Sequence, residues 1–485
     1  MAGLTNVIEP SVIRSKFSRS ISELYRKEVP LYADLLSIVS EVNTQELSKQ
    51  PELEAQLRST GELGRLSLER HGAIRLGTAK ELRIMGRLFR VMNMHPVGYY
   101  DLSAAGVPVH ATCFRPCEQV ELSRNPFRMF TSVLRLELIP SDLRKLVERI
   151  LSRRRIFSNK MLELIAKSEI NQGLTASEAD EYVVEAMKTF AWHSTAVVTL
   201  DEYELLKKQN PLLADVTGFR GTHINHLTPR TLNIDEVQIS MNRFGIPAKD
   251  TVEGPPARNC PILLRQTSFK ALEEKVKFRK HGMNFSPGSF VLIEDDMTEE
   301  ADGIEGGHKA RFGEIEQRGA ALTPKGLEVY NSMLSQARRD GIDSRDAGYH
   351  QIFSKFPDTW KEIHDQELAW FFYKVAKIDG FEREICCGLS REDVRELLIG
   401  EGFISYEPLV YEDFLPVSAA GIFQSNLGVS SEEGVGNLEA DSGDQQGFQN
   451  ALGDLKILSQ MELYEVAQRE SLDRCLSHFG LDSNI

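Results

Sequence analysis

Nothing in this 485-residue chain approaches the run of roughly 20 apolar residues that crosses a membrane as a helix, and no membrane partner is expected. A surplus of positive charge is also missing. With 71 acidic against 57 basic residues the formal charge is −14, the wrong sign for a chain whose main partner is a nucleic-acid backbone, although a local basic site could hold a small anion. Cysteine is scarce and scattered, with six at positions 113, 117, 260, 386, 387 and 475. The opening MAGLTNVIEP has neither the basic nor the apolar region of a secretory signal. Both features point to a reducing interior, cytoplasmic or organellar. The phosphate-cradling GxGxxG and GxxxxGKS/T loops and the GxSxG nucleophile elbow are absent too, which removes the commonest nucleotide-binding and serine-hydrolase readings.

What is present is ordinary for a globular protein, 41% hydrophobic and 26% charged residues. The length suggests about three domains, or one elaborated core with insertions. Helical periodicity covers Phe17 to Leu47 with a break at Val29 and Pro30, then Ala79 to Met92, Ser141 to Leu151, Lys160 to Ser168, Ala176 to Phe190 and Leu200 to Gln209. Strands are expected from about His71, in VGYYDL, VPVHATCF, HSTAVVTL, HINHLT, VQISM, CPILLRQTSF, SFVLIED and FGEIEQ. Helices return up to Gln336, from Asp358 to Ile378 and from Leu452 to Leu476. EDDMTEEADGIEGG, residues 294–307, reads as solvated loop, and the segment 428–447 as polar linker.

The chemistry-bearing residues are dispersed. In FRGTHINHLTPR, two of the eleven histidines, His223 and His226, sit three apart. Gly218, Gly221 and Pro229 punctuate the stretch, so it reads as strand rather than helix, and on a strand the two rings point to opposite faces. At most one then enters a given site. HATCFRPC places His110, Cys113 and Cys117 at metal-like spacing, but no second half-site completes a zinc centre, and buried thiols on a strand are the simpler reading. His71 opens another strand, while Glu314 and Glu316 share a face of a third. Two imidazoles and one carboxylate on one side of a metal leave adjacent positions open for substrate and dioxygen, as in non-haem Fe(II) sites. Alone, a strand histidine is more often a hydrogen-bonded core residue, and a strand glutamate more often faces solvent.

FGEIEQRG resembles the FxEIIQRxG run of 4-hydroxyphenylpyruvate dioxygenase, where the first glutamate is the iron ligand. A closer resemblance covers roughly residues 65 to 428. ERHGAIRLGT, VGYYDLSAAGVPVH, GTHINHLTPRTLNID, PILLRQTSFKAL, RFGEIEQRGAALTPKG and VYEDFLPVSAAGIFQSNLG are similar, in order, to the blocks of the 2-oxoadipate dioxygenase/decarboxylase family, also called 2-hydroxyglutarate synthases. The resemblance implies an α+β chain with a vicinal-oxygen-chelate-like mixed sheet of βαβββ modules. It would span residues 65–428, after an N-terminal helical region (1–64) and before a polar linker and C-terminal helix (429–485). It implies His71, His226 and Glu314 as Fe(II) ligands, with His223 turned away in a structural or supporting role; Glu316 is left either as a support to the ligands or as a carboxylate satisfied within the core. Arg75 would hold the substrate's distal carboxylate, four residues from His71 and so on the same strand face. Val417 and Ser418 would line the substrate pocket, with Arg265 and Gln266 as further pocket candidates.

The implied partners are a small 2-oxo dicarboxylate and dioxygen, and the implied reaction converts 2-oxoadipate and O2 to 2-hydroxyglutarate and CO2, as in lysine breakdown. The acidic insertion and the segment 428–447 look longer than the family's loops. Two other classes stay open on the residues alone. One is a Zn(II)-dependent hydrolase or lyase using the same three ligands. The other is a non-catalytic binding protein whose histidines and glutamates are satisfied within its core.

Overall fold

The computed structural model describes residues 7–103, 106–271, 273–280, 291–292, 303–342, 344, 346–415 and 443–481. Val417 and Ser418, most of the acidic insertion and residues 428–442 lie outside the described residues. The chain forms two compact units. The first takes the chain up to Val252 together with Gln266–Gln317 and Phe414–Ile457; the second takes Glu253–Arg265, Arg318–Asp413 and the chain from Leu458.

The first unit is built on β1 (Arg70–Leu76), a helix (Ala79–Val91), β2 (His95–Asp101), β3 (Val109–Arg115) and β4 (Arg128–Leu134), a βαβββ module. β5 (Arg154–Arg155), β6 (Thr195–Thr199) and β7 (His226–Pro229) follow. The main sheet runs β2-β3-β4-β1-β7. β1 is parallel to β4 and antiparallel to β7. The crossover helix starts where Thr78 accepts a hydrogen bond from the Glu81 amide while the Glu81 carboxylate accepts one from Gly77, a reciprocal N-terminal cap. Its Leu82, Met85 and Phe89 recur at helical spacing and are fully buried. Along β1, Ile74 and Leu76 join that same core, as does Leu227 of β7. His71, Ala73 and Arg75 take the other face.

The helix Pro10–Glu28 closes the core with Ile13, Phe17, Ile21 and Tyr25, spaced four apart and buried. Phe17 meets Phe127 and Phe190 edge to face at 5.5 and 5.4 Å. The remaining strands are β8 (Leu264–Ser268), β9 (Glu274–Arg279), β10 (Val291–Leu292), β11 (Ile304–His308), β12 (Glu314–Arg318), β13 (Phe371–Val375) and β14 (Ile404–Pro408). β12 pairs with β8, and β9 lies between β6 and β11. In the second unit β13 and β14 form an antiparallel pair. Phe371 and Tyr373 donate their amides to Gln468 and Ser471 of the helix Gln460–His478 at 2.7 and 3.0 Å. Among the described residues no helix is long and apolar enough to cross a membrane.

Five expectations need correction. VQISM is helical, within Ile234–Arg243, because Asn233 caps the Glu236 amide and Ile234, Val237 and Met241 form one buried stripe. The helix expected from Asp358 to Ile378 stops at Asp365, and the aromatic run FFYKV is β13. The last helix starts at Gln460 and not at Leu452, where a separate helix, Gln445–Leu452, ends before Gly453 with its positive φ of 75°. The end of the acidic insertion, Ile304–Gly307, is strand, paired with β9. The HINHLT strand begins only at His226, so His223 does not take part in strand alternation.

Candidate metal centre

Cross-strand register assembles the site. His71 lies opposite Thr228, and Ala73 opposite His226, in the β1–β7 pairing. Directly paired residues share a face, so His71 and His226 are diagonal neighbours on one side of the sheet. Beyond β7, Arg230 bridges in parallel to Glu316, and Thr231 donates its amide to the Glu316 carbonyl at 2.8 Å. That contact brings β12 alongside. The Tyr25 hydroxyl shares its one hydrogen between the carbonyls of Asn225 and Phe312, 3.0 and 2.8 Å away, and so holds the approach to His226 against the approach to Glu314.

The side chains of His71, His226 and Glu314 are fully buried and present ligand atoms within 4.8 Å of one another. His71 Nε2 is 3.8 Å from Glu314 Oε1, and His226 Nε2 is 3.3 Å from Glu314 Oε2. Gln266 donates its side-chain amide to Glu314. The two imidazoles meet edge to face at 5.4 Å, while Phe414 packs on His71 and Phe312 on His226. Burial, reinforced by His71 and Arg75, holds the His226 pKa well below the usual imidazole value, which keeps the ring neutral and its lone pair available. His226 Nδ1 is buried without a hydrogen-bond partner among the described residues. Two neutral imidazoles beside a dry carboxylate are a donor set that fits a divalent first-row cation.

Glu316, left undecided by sequence, is buried on the same face as Glu314. Its Oε2 lies 2.9 Å from His71 Nδ1 and its Oε1 3.9 Å from Arg128. Arg128 pairs with Glu69 at 2.7 Å, Glu69 with Arg230 at 3.0 Å and Arg65 at 3.3 Å, and Arg230 with Glu62 at 2.9 Å. The carboxylates of Glu62, Glu69 and Glu316 match the guanidiniums of Arg65, Arg128 and Arg230 one for one in this dry lattice. Such balance is what buried charges require, since removing one partner of a buried pair costs about 3–5 kcal/mol.

Arg75 stands on the face of His71, with Nη1 2.7 Å from Asp215 Oδ2. His223 is directed at Asp215, 3.0 Å away, and not at Glu314. Arg265 donates to the Pro255 carbonyl at 3.0 Å, a local structural contact within the second unit. Sequence reasoning missed Asp215, His308, Glu69 and Arg128. Asp215 sits mid-helix in PLLADVTG, His308 at the end of the acidic insertion, and neither carries a local signal; only Arg128, opposite His71 in the β1–β4 register, was reachable from strand alternation.

His71 and His226 on the main sheet and Glu314 on the neighbouring β12 define an α+β protein with a candidate metal centre of two imidazoles and one carboxylate. The comparisons narrow that class. The family model described as 2-oxoadipate dioxygenase/decarboxylase matches residues 17–426, and the chain belongs to that family of enzymes. It is 47% identical to the 2-oxoadipate dioxygenase/decarboxylase of Pseudomonas putida over 98% of each chain, and 44% identical to that of Escherichia coli over 97% of this chain and 99% of the relative. The crystal structure of the Pseudomonas putida hydroxyglutarate synthase in complex with 2-oxoadipate is similar with a TM-score of 0.82 at 46% identity, covering 98% of this chain and all of that one.

Proposed function

We propose that this protein is an intracellular Fe(II)-dependent dioxygenase that converts 2-oxoadipate and O2 to 2-hydroxyglutarate and CO2, in the breakdown of lysine. The observation that carries the reading is the convergence of His71, His226 and Glu314 on a buried face that also bears Arg75. A ferrous ion held by these three side chains would supply open positions for the carboxylate and keto oxygen of a 2-oxo acid and for dioxygen.

The chain's own residues do the rest. Glu316, as an acceptor 2.9 Å from His71 Nδ1, keeps the proton on that nitrogen and turns the Nε2 lone pair toward Glu314. Gln266 steadies the Glu314 carboxylate through its amide. Phe312 and Phe414 wall the two imidazoles and exclude water. Arg75 takes the distal carboxylate of the substrate; a 2-oxo acid with a neutral tail would leave the guanidinium without that partner, costing about 1–3 kcal/mol. Val417 and Ser418 would contact the substrate chain.

The test is anaerobic reconstitution with Fe(II), an oxygen-electrode assay with 2-oxoadipate and mass spectrometry of the product. Oxygen uptake with formation of 2-hydroxyglutarate is expected. Bound iron without oxygen uptake would refute the substrate, and failure to bind iron would refute the centre.

A further inference from the structure

A second group of buried side chains converges on one carboxylate. Asp215, in the helix Pro211–Gly218, has Arg75 Nη1 2.7 Å and Asn225 Nδ2 3.2 Å from its Oδ2. Its Oδ1 lies 3.0 Å from His223 Nε2 and 2.9 Å from His308 Nε2. The Tyr203 hydroxyl is 2.6 Å from His308 Nδ1. An ionised carboxylate only accepts hydrogen bonds, so both imidazoles present Nε2–H to Asp215, and His308 accepts from Tyr203 through Nδ1. Trp192 stacks on His308 at 5.5 Å and stands edge-on to His223 at 4.7 Å, fixing both rings.

These residues come from separate segments of the first unit, with Asp215, His223, Asn225, His308 and Tyr203 buried and Arg75 and Trp192 partly exposed, so the arrangement is built by tertiary folding and not by any local turn. Its charges balance with one guanidinium against one carboxylate. Burial raises the Asp215 pKa, but His223 and Arg75 outweigh it and hold the group well below the usual carboxylate range. Burial keeps the His223 pKa low and the ring neutral. An arginine side chain has four flexible torsions. Here its tip is tethered to an acceptor that three further donors, His223, His308 and Asn225, immobilise. Four residues of strand separate the Cα atoms of Arg75 and His71 by about 13 Å, so a fixed guanidinium sets one end of a span whose other end is the His71, His226 and Glu314 cluster.

We propose that Asp215, clamped by His223, His308 and Asn225, is the positioning residue for Arg75 and thereby fixes the chain length of the 2-oxo diacid accepted. The inference rests on the reading that Arg75 holds the distal carboxylate. A guanidinium can hold one carboxylate along one edge and a second along another; tethering through Asp215 costs Arg75 some charge and gives it one location. A longer or shorter diacid then meets the cation off-register, and one methylene of mismatch is worth roughly tenfold or more.

The experiment compares 2-oxoadipate with its five- and seven-carbon diacid homologues and with the monoacid 2-oxohexanoate. Iron-loaded wild type, Asp215→Asn, His223→Gln, His223→Phe and Arg75→Gln are assayed, with melting and metal stoichiometry recorded for each. Asp215→Asn is expected to raise KM for 2-oxoadipate about tenfold, more than it lowers kcat, and to flatten the chain-length preference by a similar factor. His223→Gln, which retains an N–H donor, is expected to keep the preference, and His223→Phe to lose it. A folded Asp215→Asn enzyme with unchanged preference, or with a lower KM, would overturn the proposal. So would equal effects of Gln and Phe at 223, or a second bound metal lost with Asp215. If Arg75→Gln leaves the preference for diacids over 2-oxohexanoate intact, the functional reading of Arg75 fails and the proposal with it. If Arg75→Gln abolishes that preference while Asp215→Asn leaves chain-length selection untouched, only the present proposal fails.

Discussion

Replacing Glu316 by glutamine alters the shape of the site hardly at all and removes one charge from beside His71. The carboxylate lies 2.9 Å from His71 Nδ1 and accepts hydrogen bonds without donating them, which favours the tautomer with the hydrogen on Nδ1 and the lone pair on Nε2, 3.8 Å from Glu314. A glutamine can instead turn its NH2 toward Nδ1. The proton then moves to Nε2, and a protonated nitrogen binds no metal. Carboxylates that orient ligating histidines are worth about 10–100-fold in metal affinity, or about 1.4–2.8 kcal/mol. The fold loses less than a full buried ion pair, because Arg128 keeps Glu69 at 2.7 Å and its contact to Glu316 is long, 3.9 Å. The expected loss in metal-free stability is about 1–3 kcal/mol. Anaerobic Fe(II) titration, or Co(II) against a competing chelator, reads the affinity, and urea unfolding of the metal-free protein reads the fold. Metal affinity within about twofold of wild type in a folded Glu316→Gln protein would refute the tautomer argument.

Other substitutions separate neighbouring residues. His226→Ala is expected to abolish stoichiometric metal binding while His223→Ala retains it, since His223 faces Asp215; metal analysis after gel filtration decides. Phe17→Ala removes a fully buried ring seated between Phe127 and Phe190 and should cost about 3–5 kcal/mol in urea unfolding. His110, beside Tyr99, has its pKa pushed down to about 4, chiefly by burial and further by Arg135, with Asp101 opposing. The folded state therefore resists a proton that the unfolded chain takes up near pH 6.5, so stability holds above that pH and falls as the pH drops toward 4. The loss attached to this group by pH 4.5 is about 2–3 kcal/mol. His110→Gln should remove that share of the acid sensitivity, read as a smaller change in the urea midpoint between pH 7 and 4.5.

Much of the architecture was legible one element at a time. The cap at Thr78, the four-residue spacing of Ile13, Phe17, Ile21 and Tyr25, and the alternation along HGAIRL each encode a local choice that neighbouring residues can make by themselves. VQISM and AWFFYKV misled because β-branched and aromatic residues satisfy either period. The choice fell to partners distant in sequence, the buried core against Val237 and Met241 in one case and β14 in the other.

The candidate centre divides the same way. The chain alone determined that His71 and Arg75 share a strand face and that Glu314 and Glu316 share another, because strand alternation is a property of the backbone. Sequence spacing could not choose between His223 and His226, nor say whether the Glu314 face is wet or dry. It also could not find Asp215 or His308 as partners of Arg75 and His223. Those facts depend on which strand pairs with which and in what register, and on burial that turns isolated polar residues into obligatory partners. Register and burial are set by contacts between segments up to hundreds of residues apart, such as Tyr25 with Asn225 and Phe312, and only the folded chain brings those segments within hydrogen-bonding range.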